Sequence, residues 1–396
     1  MKVLVFTSLY PNNIWPYHGV FTKERLAPLL PREGFEVKVV APVPYFPPVR
    51  MGRRHMFSQV KRTETIEGVE VYHPRYFMTP KIGMASYGLM MFLGALPLVS
   101  RIHRSFDFDV IDAQFVYPDG FAGMLLGRYF RKPVVITSHG TDINLYKDFP
   151  VIRSLLRYTL GKADRVIAVC QALKDAMIVL GASGDQISVI PNGIDPSKFY
   201  PLPKADARAR LGLPNEKLIL SVGALIPRKG VDFVIKALKI LRDELHQNDV
   251  RLLVVGEGNS RMELERLVSA LGLQDRVRFI GSVPHRDLYL WYSAADVFCL
   301  ASNREGWPCV ILESLACGTP VVATAVWGVP EVICSDSVGL LTKRSERDIA
   351  EKLLAALTTR WNVDVMTEYA RGYTWDRAAH AALGAFEAAM APIPAS

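Results

Sequence analysis

Three groups of residues in this 396-residue chain combine types and spacings that could do chemistry. The first lies in Ser302 to Ile333, SNREGWPCVILESLACGTPVVATAVWGVPEVI. Here Glu305 is followed by Gly306 and then, on the body of an expected helix, by Glu313. Pro308 suits the first position of that helix, where no N–H is needed, and Gly318 suits a left-handed cap at its end. The N–H groups of Cys309 and Val310 would point out of the helix start, toward the place of an anion. Two carboxylates beside an anion site suit a ligand with hydroxyls on both sides of a phosphate, such as a sugar nucleotide.

The second group is Arg228 and Lys229 in IPRKGVDF, between an expected strand and its helix. Two fixed cations beside helix-start amides can stabilise a diphosphate, most of all one gaining charge as it leaves. A surface pair flanking a helix is the plainer reading, and the company of Glu305, Gly306 and Glu313 tips the balance. The third is His139, in SHGTD after the apolar run PVVIT. Ligands of open parallel sheets lie beyond the carboxyl ends of strands, which lifts this histidine above a surface or capping residue. Gly19, in the long loop YPNNIWPYHGVF, either lets backbone approach a phosphate or sugar or is simply a turn residue.

The elements that must position these groups alternate along the chain. Apolar runs at residues 2–6, 36–41, 108–115, 133–140, 164–170 and 186–195 read as strands, with a helix near 22–30. The pattern restarts after the proline-bearing segment PNGIDPSKFYPLPK, with strands at 217–225, 251–258, 277–283, 295–302 and 320–324. Parallel strands separated by helices predict an α/β chain of two doubly wound sheets in series, with a cleft between them. The domain boundary is placed at residues 195/196.

Half the residues are hydrophobic and about a fifth are charged, a globular composition. Five cysteines, with no CxxC pair, argue for a reducing compartment and against a zinc site or disulfide framework. MKVLVFTSLY reads as a first strand rather than a signal peptide. Residues 1–190 hold 23 Lys+Arg against 15 Asp+Glu, and residues 191–396 hold 24 against 24, so the whole +8 excess sits in the first half. Such a half suggests an anionic partner surface, or merely solubility. Residues 42–62 read as a loop in which Arg50, Arg53, Arg54, Lys61 and Arg62 mix with Tyr45, Phe46, Met56 and Phe57. That mixture suits a membrane interface or an exposed loop equally. Residues 82–100 carry no charge, but Pro97 and three glycines favour a buried or membrane-surface helix over a span.

Taken together, SVGALIPRKG, EGWPCVILESLACGTPVVAT, PNGID with the later Phe199, and YTWDRAAHAALGAFEAAM resemble a retaining glycosyltransferase of family 4 (group 1). The resemblance covers nearly the whole chain. The EX7E pattern from Glu305 to Glu313 is its most specific part. It implies the GT-B fold: an acceptor-binding domain over residues 1–195, a nucleotide-sugar domain over 196–375, and a final helix, about 376–396, crossing back to the first. It implies that Glu313 binds the ribose, Glu305 the donor sugar, and backbone of Gly306, Trp307, Pro308, Cys309 and Val310 the sugar and phosphate. Val283 would lie near the base, Gly19 would border the diphosphate, Arg228 and Lys229 would neutralise the leaving group, and His139 would flank the reacting sugar. Two positions depart from the family pattern. Ala224 stands where many members carry arginine, with Arg228 a substitute, and Gly19-Val20 stands for a glycine pair. The implied reaction moves a sugar from a nucleotide diphosphate to an acceptor hydroxyl, without metal or cofactor. A lipid-linked glycan in cell-surface polysaccharide synthesis, at the cytoplasmic face of an anionic membrane, is the expected acceptor. A sugar-nucleotide epimerase and a catalytically silent sugar-nucleotide binder are the alternatives. A dehydrogenase is disfavoured because no GxGxxG follows the first strand, and no nucleic-acid recognition motif is present.

Overall fold

The computed structural model describes residues 1–47, 53–78 and 83–391. Arg50 of the basic loop, the first residue of the charge-free run (Ile82) and the last five residues of the expected final helix lie outside these. The chain divides into two compact units, Met1–Asn192 with Trp375–Ser396, and Gly193–Thr374.

The first unit is built on β1 (Lys2–Phe6), β2 (Glu36–Val40), the short β3 (Val43–Pro44), β4 (Thr63–Ile66), β5 (Val69–Tyr72), the short β6 (Arg75–Tyr76), β7 (Val110–Gln114), β8 (Val134–Ser138), β9 (Arg165–Ala168) and β10 (Ile187–Val189). Its main sheet has the order β10-β9-β8-β7-β1-β2-β5-β4, and β3 pairs with β6. Among the described residues every pairing is parallel except β4 with β5. β1, β7 and β8 are fully or almost fully buried, as expected of strands covered on both faces. Trp375–Met390 forms a helix that packs on the helix Val20–Leu26 and on β9, its small residues Ala378, Ala379 and Ala382 turned inward.

The second unit holds β11 (Lys217–Val222), β12 (Val250–Val255), β13 (Val277–Gly281), β14 (Val297–Leu300), β15 (Val321–Thr324) and β16 (Gly339–Thr342), in the order β13-β12-β11-β14-β15-β16 and parallel throughout. The helix Val231–Asp243 buries Val231, Val234, Ile235, Leu238 and Leu241 against this sheet. That stripe is the 3.6-residue periodicity of the sequence made solid. In each unit the strand order reverses at the first strand: β1 lies between β7 and β2, and β11 between β12 and β14. Loops leaving the carboxyl ends of strands on either side of such a reversal diverge and leave a crevice.

One expectation changes. Residues 42–62 are not one loop: β3, a turn at Arg53–His55 and a short helix at Met56–Gln59 interrupt it. The helix is held because Phe57 packs its ring 5.1 Å from Trp15, while Asn13 bonds Gln59 and Lys61. The charge-free run is a helix, as expected, over Tyr87–Phe106, with Pro97 inside it. Met91, Ala95, Val99, Ile102 and Phe106 are buried at helical spacing against the first unit, while Leu89 and Leu93 remain 42% and 50% exposed. The segment Met84–Phe106 is long and apolar enough to cross a membrane by length and composition.

Candidate active site

In the second unit, the loops after β11 and β14 leave the sheet on either side of its reversal point and meet. Arg228 and Lys229 sit in a single turn at Pro227–Lys229, closed by Gly230. Gly230 has φ 68°, and a Cβ there would fall 2.0 Å from the carbonyl oxygen of Ala301, so only glycine lets the loops touch. Asn303 N–H donates to the carbonyl of Arg228 at 3.0 Å, and Arg228 donates to the carbonyl of Arg304 at 2.9 Å. The Glu305 carboxylate is buried at this seam. It accepts from Lys229 Nζ at 2.5 Å, from Ser302 Oγ at 2.6 Å and from Arg228 Nη1 at 3.5 Å. Two cations around one carboxylate leave one positive charge over, at an edge where the Arg228 side chain is still 31% exposed.

Directly beyond Glu305 the chain enters the helix Cys309–Ala316. Pro308 is its N-cap, with extended backbone, no side-chain cap and no acidic residue in the first turn. The positive end of the helix is therefore not neutralised by its own sequence, which is the condition for receiving a ligand's negative charge. Gly306 and Pro308 are buried, and Cys309 and Val310 are half-buried. Trp307 is buried too, its ring 5.4 Å from Tyr373 and its indole N–H without a partner among the described residues.

Glu313, one turn further on, is 6% exposed. Its two oxygens accept from His285 Nε2 at 3.1 Å and from the Tyr292 hydroxyl at 3.0 Å. Burial and the adjacent Glu313 charge raise the Tyr292 phenol well above its ordinary value, so it stays a proton donor. Phe199 packs edge-on to both rings of this pair. Val283, half-buried, precedes His285 by two residues in the loop after β13. His285 and Tyr292 are absent from the sequence reading. The signal for His285 was available, since it follows a strand's carboxyl end just as His139 does; nothing in the sequence singles out Tyr292.

In the first unit, His139 follows β8 directly. Its ring lies between Phe21 and Phe115, with centroids 4.3 and 5.0 Å away. Nε2 is 2.9 Å from Gln114 Oε1, and Nδ1 is buried without a partner among the described residues. Burial, helped by the Arg25 charge, holds the imidazole well below its ordinary pKa, so the ring is neutral. Asp142 ties down the turn after His139, accepting from Gly140 N at 2.9 Å, Ser138 Oγ at 3.1 Å and Val116 N at 2.8 Å. Gly19 is the N-cap of the helix Val20–Leu26, at φ 66°, and a Cβ there would fall 2.1 Å from the Leu9 carbonyl oxygen. Of its two readings, this contact and the left-handed turn alone require glycine. The structure thus joins Arg228, Lys229 and Glu305 directly and sets Gly306 to Glu313 beside them, while His139 and Gly19 belong to the first unit.

Solved structures of other proteins superpose on this fold. The sucrose-phosphate synthase of Thermosynechococcus elongatus matches with a TM-score of 0.80 at 21% identity, covering 98% of both chains. HepE of Anabaena, solved in complex with UDP-glucose, matches with a TM-score of 0.64 at 22% identity over 94% of this chain and 98% of its own. Two parallel-sheet Rossmann-like domains in this arrangement of strands define the GT-B fold. Residues 24–198 match the model described as Glycosyltransferase Family 4, and residues 203–373 the model described as Glycosyl transferases group 1. A putative teichuronic acid biosynthesis glycosyltransferase, TuaC of Bacillus subtilis, is 30% identical over 362 residues, 89% of this chain and 88% of its own. The chain therefore belongs to glycosyltransferase family 4.

Proposed function

We propose that the chain is a retaining, metal-independent hexosyltransferase that moves a sugar from a nucleotide-diphosphate donor to an acceptor hydroxyl. The observation that carries this is the joined cluster Arg228–Lys229–Glu305 beside the uncapped helix start at Cys309, with Glu313 on the same helix. The diphosphate sits on the helix start, against the positive charge left over by Arg228 and Lys229. Glu313 takes the ribose hydroxyls, and Glu305 orients the sugar. Val283 borders the base. As the anomeric C–O bond to the diphosphate breaks, the oxygen that leaves gains charge, and the two cations stabilise it as a metal otherwise would. The acceptor hydroxyl attacks from the face of departure, its proton passing to the leaving phosphate. His139 and Gly19 border the sugar and diphosphate from the first unit.

The acceptor is a lipid-linked glycan of a cell-surface polysaccharide, met at the inner face of the cytoplasmic membrane. Three features support this: the basic charge of residues 1–190, the exposed Leu89 and Leu93 on a helix followed by Arg101 and Arg104, and the likeness to a teichuronic acid glycosyltransferase. A panel of nucleotide sugars, scored by protection against thermal unfolding and by release of nucleoside diphosphate, tests the reading. One nucleotide series should protect and be turned over, with release accelerated by acceptor. No protection by any member of the panel would sink the proposal, and turnover to free product indifferent to acceptor would replace a transferase with an epimerase.

A further inference from the structure

Four side chains of the first unit line up behind His139. Asp112 and Gln114 are two residues apart on β7 and so project from one face of the strand. Asp112 is fully buried, and its Oδ2 accepts from Arg25 Nη2 at 2.9 Å. Arg25, itself 4% exposed, also donates to Thr137 Oγ1 at 3.0 Å; Thr137 is the register partner of Gln114 on β8. Gln114 shares a strand face with Asp112, and its Oε1 lies 2.9 Å from His139 Nε2. Gln114 Nε2 and Asp112 Oδ1 are both buried, and neither has a hydrogen-bond partner among the described residues. Of the two ways round for the amide, the one with its NH2 on the Asp112 side and its oxygen toward His139 avoids setting two acceptors face to face beside the ion-paired carboxylate. That oxygen accepts only, so the proton on the neutral ring must be on Nε2, 2.9 Å away.

We infer that Gln114 is a positioning residue for glycosyl transfer: oriented by the Arg25–Asp112 pair, it holds His139 in the neutral Nε2–H tautomer and fixes the chain at that point. The inference rests on the proposed reading that His139 borders the reacting sugar. It explains why one arginine and one aspartate are buried in this wall, where an ion pair contributes little net stability but does impose one arrangement. The charged groups around the ring are Arg25 from the helix Val20–Leu26, Asp112 from β7 and Asp142 from the turn that follows His139.

The test uses the full chain labelled with 15N-histidine, with the His139 signals assigned by their loss in His139→Gln. Long-range proton–nitrogen spectra should show His139 as the Nε2–H tautomer, unchanged from about pH 5.5 to 8.5. In Gln114→Glu a carboxylate replaces the amide oxygen and should draw a second proton onto the ring, so His139 should titrate within that range and turnover should gain a matching pH dependence. Gln114→Leu should lower kcat about tenfold or more and leave the donor KM within about twofold, as expected of lost positioning. Gln114→Asn, which keeps the amide on a shorter arm, guards against a variant that fails to fold. An Nδ1–H tautomer, a wild-type ring that titrates in this range, or a Gln114→Leu kcat equal to wild type would each overturn the inference. The spectra need no turnover, so a chain without glycosyl transfer would sink the functional reading and leave the tautomer answer standing.

Discussion

The Lys229 ammonium and the Glu305 carboxylate stand 2.5 Å apart, their side chains 15% and 8% exposed, although they come from loops 76 residues apart in the chain. This contact joins the two halves of the reversal point of the second sheet. It also means that each group is held in place by a charge it would share with the ligand.

Removing one partner of this pair leaves the other buried and unbalanced. Lys229→Met and Glu305→Gln should each destabilise the protein, by about 3 kcal/mol for so buried a pair, whereas the double variant should be more stable than the sum of the two losses predicts. Urea unfolding of the four proteins measures this, and simple additivity would show that the pair is not coupled. Donor turnover in Lys229→Met should fall about 10²–10³-fold, as when one fixed stabiliser of transition-state charge is lost. An unchanged rate would remove Lys229 from the mechanism.

Glu313 and its two donors make a separable claim. Glu313→Gln should weaken nucleotide binding about 10–100-fold, the worth of a hydrogen bond to a charged group. Tyr292→Phe deletes a hydroxyl that Glu313 accepts from and should cost about 1–3 kcal/mol of stability. Calorimetric titration with the nucleoside diphosphate reads the first effect and chemical denaturation the second. Wild-type affinity in Glu313→Gln would contradict the ribose assignment.

Asp119 gives a pH signature. It is 1% exposed, accepts from the Ser8 N–H and hydroxyl, and is pushed up from the ordinary aspartate range to about 7 by burial. The folded state therefore holds this proton at pH values where the unfolded chain has lost it. Stability is greatest below the unfolded value and declines as pH rises from about 4 to about 7, by about 4 kcal/mol at most from this group. Asp119→Asn should flatten that part of the profile. A wild-type profile that rises over the same interval, with Asp119→Asn parallel to it, would rule the effect out.

The exposed apolar side of the helix Tyr87–Phe106 predicts binding to anionic vesicles. Replacing Leu89 and Leu93 with aspartate should reduce partitioning about 10–100-fold, since each leucine contributes on the order of 1.5 kcal/mol when it enters the interface. Nucleotide binding, proposed for the second unit, should not change. Equal partitioning of the two proteins in a sedimentation assay would remove this helix from the membrane proposal.

What the sequence disclosed follows from how local its signals are. Buried parallel strands are short apolar runs, and the helix Val231–Asp243 shows its stripe in the letters themselves, so most of both sheets was legible, β16 (Gly339–Thr342) being missed. The helix at Cys309 was readable from Pro308 and Gly318 because caps are local chemistry. The β4–β5 hairpin was not read, although TIEGVEV holds its alternation and its Glu-Gly turn; a polar edge hairpin lacks the apolar run that marked the other strands. Tyr292 and Gln114 were out of reach for a different reason. One is joined to Glu313 across 21 residues and the other to His139 across 25, contacts that exist only once strands and helices have been placed.

The close approach of Gly230 to Ala301 has a thermodynamic meaning. Because the two loops are clipped together by that contact and by the Asn303–Arg228 bond, their arrangement is set during folding and not at the moment of binding. A nucleotide arriving at this surface immobilises few loop torsions, so little entropy of ordering is subtracted from its affinity. Calorimetry and stopped-flow mixing would then see a binding event without a slow ordering phase in this loop pair: a surface finished before its ligand arrives.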